Sequence, residues 1–180
     1  MKTVFAIILL VASSVCLAQK GQFITEAEFQ ARFFSADVQQ QTLWVNKHLK
    51  SDIEGILNRR FTTLRIRYWG ENTRTAWILE EIGKELPITV GVVIEDDKIY
   101  EVSILEYRES RGGEVRYPFF TRQFQQLKLQ EVGPYRLDKS IDGITGATLS
   151  VRALKKIATL ALFLHRQTPF YPLLGKSMGS

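Results

Sequence analysis

The stretch from Phe61 to Leu105 constrains the fold most, because its apolar residues recur at alternate positions between short polar breaks. Phe61-Thr62-Thr63-Leu64-Arg65-Ile66-Arg67-Tyr68-Trp69 reads as a strand, and Gly70-Glu71-Asn72 as a turn. Thr75-Ala76-Trp77-Ile78-Leu79 resumes as an extended or mixed segment. Pro87 opens Ile88-Thr89-Val90-Gly91-Val92-Val93-Ile94, whose β-branched side chains suit a pleated surface. Glu95-Asp96-Asp97-Lys98 turns the chain back into Ile99-Tyr100-Glu101-Val102-Ser103-Ile104-Leu105. Segments joined by turns this short pair antiparallel, so an antiparallel meander is predicted.

Helical signals flank the meander. Thr25 is followed three residues later by Glu28, a capping box ahead of Phe29. Leu43, Trp44, Leu49, Ile53, Ile56 and Leu57 predict a helix over 37–57. Gly112-Gly113 breaks the pattern, and 118–127 is predicted helical and rich in Phe. Gly133-Pro134 opens a loop. A last helix follows Thr148 and ends near His165, with Pro169 and Pro172 beyond it. The apolar block 157–164 in that helix is far shorter than the about 20 residues of a membrane span, and reads as a buried core helix. The predicted fold class is α+β, an antiparallel sheet flanked by helices. Residues 19–80 supply N-terminal helices and first strands, 81–168 the region that carries the chemistry, and 19–180 form one domain.

The N-terminus has the form of a signal peptide over 1–18. Lys2 precedes an apolar stretch from Val4 to Ala12, and Val15-Cys16-Leu17-Ala18 places small residues at Cys16 and Ala18 for cleavage after Ala18. An uncleaved anchor and lipidation at Cys16 rank below this, since the apolar stretch is short and Val15 suits a lipidated cysteine poorly. A periplasmic or otherwise extracytoplasmic location follows. Cleavage removes Lys2, taking the net charge from +5 to +4, and removes the single cysteine. The mature chain then has no thiolate, which excludes disulfides, cysteine nucleophiles, iron–sulfur clusters and cysteine-bound zinc. The 24 Lys and Arg are interleaved with 19 Asp and Glu, which reads as a mixed surface and not as a nucleic-acid footprint.

The run Asp142-Gly143-Ile144-Thr145-Gly146-Ala147-Thr148-Leu149-Ser150 carries the candidate chemistry. It sits in a loop that passes directly into a helix, where free backbone N–H groups favour a phosphate. Gly146 and Ala147 present almost no side chain, so a bulky group can approach the backbone. Thr145, Thr148 and Ser150 supply hydroxyls. Arg152, Lys155 and Lys156 add positive charge. Two readings of these residues stand side by side: Thr148 caps the helix, with Gly146 serving the turn, or the run holds a phosphate-bearing ligand. A Gly-Lys-Ser/Thr phosphate loop is absent, so nucleotide hydrolysis is not supported.

The same run closely resembles the flavinylation motif of the FMN-binding domain family, which includes flavin-bearing subunits of the sodium-pumping NADH:quinone reductase and of Rnf complexes. That motif runs Asp, two residues, Ser or Thr, Gly, Ala, Thr, one residue, Ser or Thr, and every specified position is matched here. The resemblance implies FMN as cofactor, joined through its phosphate to Thr148 by an extracytoplasmic flavin transferase that draws on FAD. It implies cofactor-binding roles for Asp142, Thr145, Gly146, Ala147 and Ser150. It extends over roughly 88–165, and Glu109-Ser110 stands where the family has Glu-Thr. The following Arg111-Gly112-Gly113 departs from the usual Pro-Gly. The implied function is electron transfer outside the cytoplasm, with a membrane or periplasmic redox partner. No catalytic residue is assigned, so the expectation is a carrier and not a complete enzyme. Alternatives are a noncovalent FMN-binding module and an exported interaction domain without flavin.

Other residues carry weaker signals. Glu109 is either a flavin contact or a solvated carboxylate. Tyr117, Phe119, Phe120 and Phe124, like Trp69 and Trp77, are either stacking platforms or core. His48 and His165 lack companions at ligand spacing, so no metal site is expected. Ser150, His165 and Asp142 compose a hydrolase triad on paper only, without a nucleophile elbow.

Overall fold

The computed structural model describes residues 21–171, so the signal-peptide reading of 1–18 lies outside the described residues. Five strands form one sheet in chain order, every neighbouring pair antiparallel: β1 (Gln41–Trp44), β2 (Arg65–Glu71), β3 (Arg74–Ile82), β4 (Pro87–Glu95) and β5 (Lys98–Tyr107). The helices are α1 (Glu26–Phe33), α2 (Lys47–Leu57), α3 (Pro118–Thr121) and α4 (Thr148–His165). The architecture is the expected α+β meander flanked by helices. The sheet is continuous across position 80, which falls inside β3.

Strand periodicity sorts the residues onto two faces. Trp77 and Leu79 of β3 and Ile88, Val90 and Val92 of β4 face α2 and α4, meeting Ile53, Leu57, Leu154, Ile157 and Ala161 in the main core. Ala76, Val93 and Leu105 face the other way and are covered by Phe29 of α1. The Thr25–Glu28 capping box that begins α1 is formed in full.

Helix α4 is pinned to β3 at two polar points. At mid-helix, Lys156 Nζ lies 3.0 Å from Glu81 Oε1, and Arg59 Nε lies 2.8 Å from Glu81 Oε2. Glu81 is buried, so two cations compensate one desolvated carboxylate. At the helix end, His165 Nδ1 lies 2.8 Å from Thr75 Oγ1, which also accepts from Trp77 Nε1 at 2.9 Å.

Three predicted elements differ from the structure. The helix predicted over 37–57 is a strand, β1, followed by a shorter helix. Asn46 ends the strand and caps α2, its Oδ1 accepting from Leu49 N–H at 2.9 Å, so Leu43 and Trp44 belong to the sheet. The first long strand begins at Arg65 rather than Phe61, and its turn sits at Asn72, with positive φ, rather than over 70–72. The helix predicted over 118–127 stops after α3, continues as a 3₁₀ turn at Arg122–Phe124, and is ended by Gln126 with φ of 65°.

Candidate functional site

The loop 141–147 delivers the chain to α4 through one tight turn. Ala147 N–H donates to the Ile144 carbonyl at 3.0 Å, and Gly146 occupies the turn with φ of 84°. An L side chain is strained at that φ, so the motif glycine has a conformational reason. Beyond its own chain neighbours, no heavy atom lies within 4 Å of where a Cβ would stand, which leaves the approach to the turn open.

Thr148 is the first residue of α4, and the N-cap position belongs to Ala147, which has no capping side chain. The reading of Thr148 as an N-cap is therefore corrected. Its side chain is exposed and its hydroxyl caps nothing. The first-turn amides of α4 are left without a side-chain acceptor, an arrangement that favours an anion.

Ser150 has a different placement. It is buried, with Oγ 2.9 Å from Tyr107 Oη, and Tyr107 Oη also donates to the Arg111 carbonyl at 2.5 Å. Burial raises the Tyr107 hydroxyl above its ordinary range, against the opposing pull of its bond to Ser150. The hydroxyl of Ser150 thus ties the first turn of α4 to the end of β5. Gly112 lies against this junction. A Cβ there would stand 3.0 Å from Ser150 Oγ and 3.0 Å from Tyr107 Oη, at φ of 80°. Only glycine fits both the space and the backbone.

Glu109 is neither a bare solvated carboxylate nor a free ligand. Its Oε1 accepts from the N–H groups of Lys84, Glu85 and Leu86 at 2.5, 2.7 and 3.0 Å, clasping the β3–β4 turn. Burial acts to raise this carboxyl, but the amides of Leu86, Glu85 and Lys84 outweigh it and hold it below the usual range.

These elements enclose a cleft of about 610 Å³. Lys84, Glu109, Ser110 and Arg111 form one wall, and 146–150 the other. A space of this size lies within the about 300–1,000 Å³ of small-molecule sites. Of the residues singled out, Glu109, Ser110, Gly146, Ala147, Thr148 and Ser150 converge on it. Asp142 and Thr145 are exposed outside it, with Asp142 N–H donating to Gln123 Oε1 at 2.8 Å. Thr148 also borders a second cleft, of about 670 Å³, between the 130–143 loop and α4.

Several sequence candidates fall away from the site. Phe120, Phe124 and Trp77 are fully buried core, and Trp69 is buried beneath α1. Tyr117 and Phe119 are exposed, and neither lines the cleft at Thr148. Lys156 is committed to Glu81 and so contributes little free charge. His165 stands fifteen residues after Ser150 on the same helix, about 22 Å along its axis, so no triad with Ser150 forms.

The residues sequence reasoning missed are Tyr107 and the Lys84–Leu86 turn. Tyr107 had one available signal, a polar aromatic closing the β5 pattern.

Residues 83–162 match the family model of the FMN-binding domain. FMN is the cofactor this match supports. The matched segment runs from the β3–β4 turn into the last turns of α4 and contains all eight residues assigned to the site. No curated protein matches this chain.

Proposed function

We propose that the protein is an exported electron carrier whose FMN is joined by a phosphoester to Thr148. The observation that carries this reading is the state of the Thr148 hydroxyl. It stands exposed at the start of α4, released from capping by Ala147, beside an open glycine turn and a cleft large enough for a cofactor. The bound flavin supplies the redox chemistry. The chain's part is to hold the phosphate near the α4 amides, orient the ring and limit its exposure. In this reading Gly146 and Ala147 admit the cofactor to the backbone, Asp142 orients the loop or marks it for the transferase, and Ser110 contacts the cofactor. Ser150 and Glu109 build the cleft. A tether keeps the cofactor with the protein after export, whatever its intrinsic affinity. An extracytoplasmic flavin transferase installs it, and a membrane or periplasmic redox protein exchanges electrons with it.

Co-expression with a flavin transferase tests the tether. After denaturation, intact mass should rise by FMN less water, with in-gel flavin fluorescence, and Thr148→Val should abolish both. Yellow protein that releases its flavin on denaturation would instead establish noncovalent binding. Colourless protein, with the transferase active on a control substrate, would leave an interaction domain without flavin.

A further inference from the structure

Four of the chain's five excess positive charges fall in one stretch. Residues 41–67, from β1 through α2 into β2, hold six Lys and Arg against two acids, and the rest of the chain holds eighteen against seventeen. Five of the six, Lys47, Lys50, Arg60, Arg65 and Arg67, are exposed and form no ion pair among the described residues. The sixth, Arg59, is bound to Glu81. The two acids, Asp52 and Glu54, are half-buried, and Glu54 already accepts from Phe61 N–H at 2.8 Å. Unpaired cations occur elsewhere on the molecule. What sets this stretch apart is that it contains no exposed acid. From outside it, Glu26 and Glu80 share a hollow of about 330 Å³ with Arg65 and Arg67, and Glu80 also lies 3.5 Å from Arg108.

The same stretch holds the exposed tryptophan. Trp69 and Trp77 are buried, but Trp44 is 68% exposed and Leu64 is 73% exposed. Val45 N–H donates to the Leu64 carbonyl at 2.9 Å, which sets Leu64 beside Trp44. Arg65 is the cross-strand partner of Trp44, and Arg67 that of Thr42. These four share the face turned away from Leu43, Ile66 and Tyr68. Lys47 opens α2 three residues after Trp44. Strand β1 is a sheet edge, paired only with β2 among the described residues. Charge alone protects such an edge from pairing with another chain. A tryptophan and a leucine exposed within that charge work against such protection. They fit a surface that is anionic at its face and apolar beneath. Tryptophan seats at the headgroup level of a bilayer, and Lys and Arg lay their stems along it with their charges among lipid phosphates.

We propose that the β1 edge is a peripheral membrane-docking surface. Trp44 and Leu64 enter the headgroup layer of an anionic bilayer, and Lys47, Lys50, Arg60, Arg65 and Arg67 gather around its phosphates. Strands β1 and β5 are opposite edges of the sheet, four strand spacings or about 19 Å apart. The cleft at Thr148 abuts the β5 side, where Ser150 meets Tyr107, so a docked molecule keeps that cleft clear of lipid. The surface needs no flavin, and the proposal stands or falls independently of the tether.

The test mixes the full chain, as an exporting host delivers it, with phosphatidylcholine vesicles, either pure or carrying about 30% phosphatidylglycerol. Affinity should be at least about tenfold higher for the anionic vesicles and should fall as salt is raised. Tryptophan emission should shift to the blue and be quenched by brominated lipid, since Trp44 alone of the three tryptophans is exposed. Trp44→Ser/Leu64→Ser should abolish the quenching. Lys47→Gln/Arg60→Gln/Arg65→Gln/Arg67→Gln should lower affinity for anionic vesicles at least about fivefold. Lys98→Gln/Arg122→Gln, two exposed cations outside the stretch, should leave it unchanged. Every substituted side chain is exposed, and urea midpoints matching the unaltered chain establish that the variants are folded. Equal affinity for neutral and anionic vesicles, quenching that survives Trp44→Ser/Leu64→Ser, or an equal loss from Lys98→Gln/Arg122→Gln would overturn the proposal. Binding to heparin or duplex DNA without binding to vesicles would also overturn it, by assigning the cations to a soluble polyanion.

Discussion

The two ends of α4 are built on opposite terms. At its start the cap position carries no capping side chain, Thr148 is exposed, and two clefts open beside it. At its end His165 is fully buried, bonded to Thr75, and Arg166 is joined to Asp97 by bonds of 2.8 and 2.6 Å. An uncapped helix start forgoes about 1 kcal/mol that a Ser, Thr, Asn or Asp cap contributes. The sealed end and the Glu81 pin hold the helix in place while its start stays free for a ligand. Stability and chemistry are thus divided along one helix.

The comparison is broken most severely at the sealed end. Trp77→Ala removes the largest fully buried side chain and the donor to Thr75, and should cost about 3–5 kcal/mol in urea unfolding. Thr148→Val, at the open end, should stay within about 0.5 kcal/mol while losing the proposed tether entirely. Comparable losses from the two substitutions would refute the division.

His165 sharpens the contrast through pH. Burial first, opposed by Asp97, lowers its pKa from 6.5 to about 4. A folded value below the unfolded one means the unfolded chain binds the extra proton. The stability contribution is therefore complete above about pH 6.5 and is lost as pH falls toward 4. It amounts to about 3 kcal/mol in full, with about 1 kcal/mol lost between about pH 7 and 5.5. Urea midpoints across that interval should fall for the unaltered chain and stay flatter in His165→Asn. Equal slopes would show that His165 titrates normally.

Gly112→Ala tests the junction behind the open end. Positive φ and two contacts at 3.0 Å should together cost about 1–3 kcal/mol and slow flavin attachment, since Ser150 must shift. The smallest effect is Tyr107→Phe, about 1 kcal/mol from the lost hydrogen bonds, read by thermal unfolding. A larger loss from Tyr107→Phe than from Gly112→Ala would reverse the ranking of space over hydrogen bonding at this junction.

Much of this was legible in the residues. The β-branched run 88–94 and its polar turn specify the β4–β5 pairing, because alternation and turn chemistry are both local signals. The start of α4 at Thr148 is likewise a local transition. Strand β1 was not legible. It has four residues, and the spacing of Leu43 and Trp44 from Leu49 mimics a helical stripe. Only Asn46, a good N-cap, marks the break. At the site, the resemblance picked out Thr148, but no pattern in the chain says that Glu109 clasps amides more than twenty residues earlier. Ser150 reads as one more hydroxyl until its burial against Tyr107 is seen. Such bonds depend on how the sheet edge and the helix meet, which no short stretch encodes.

The Glu81 pin has one more consequence. Lys156 lies two turns beyond Thr148, and Ser150 is fastened to Tyr107 between them, so both the tilt and the rotation of the first turns of α4 are set by the sheet. A group fixed at Thr148 therefore hangs from a stationary post, and its travel is limited to rotation about its own linking bonds. A flavin attached there as proposed does not move on a long swinging arm. In the proposed role, the gap to an electron partner is then decided by how closely that partner can dock against the two clefts.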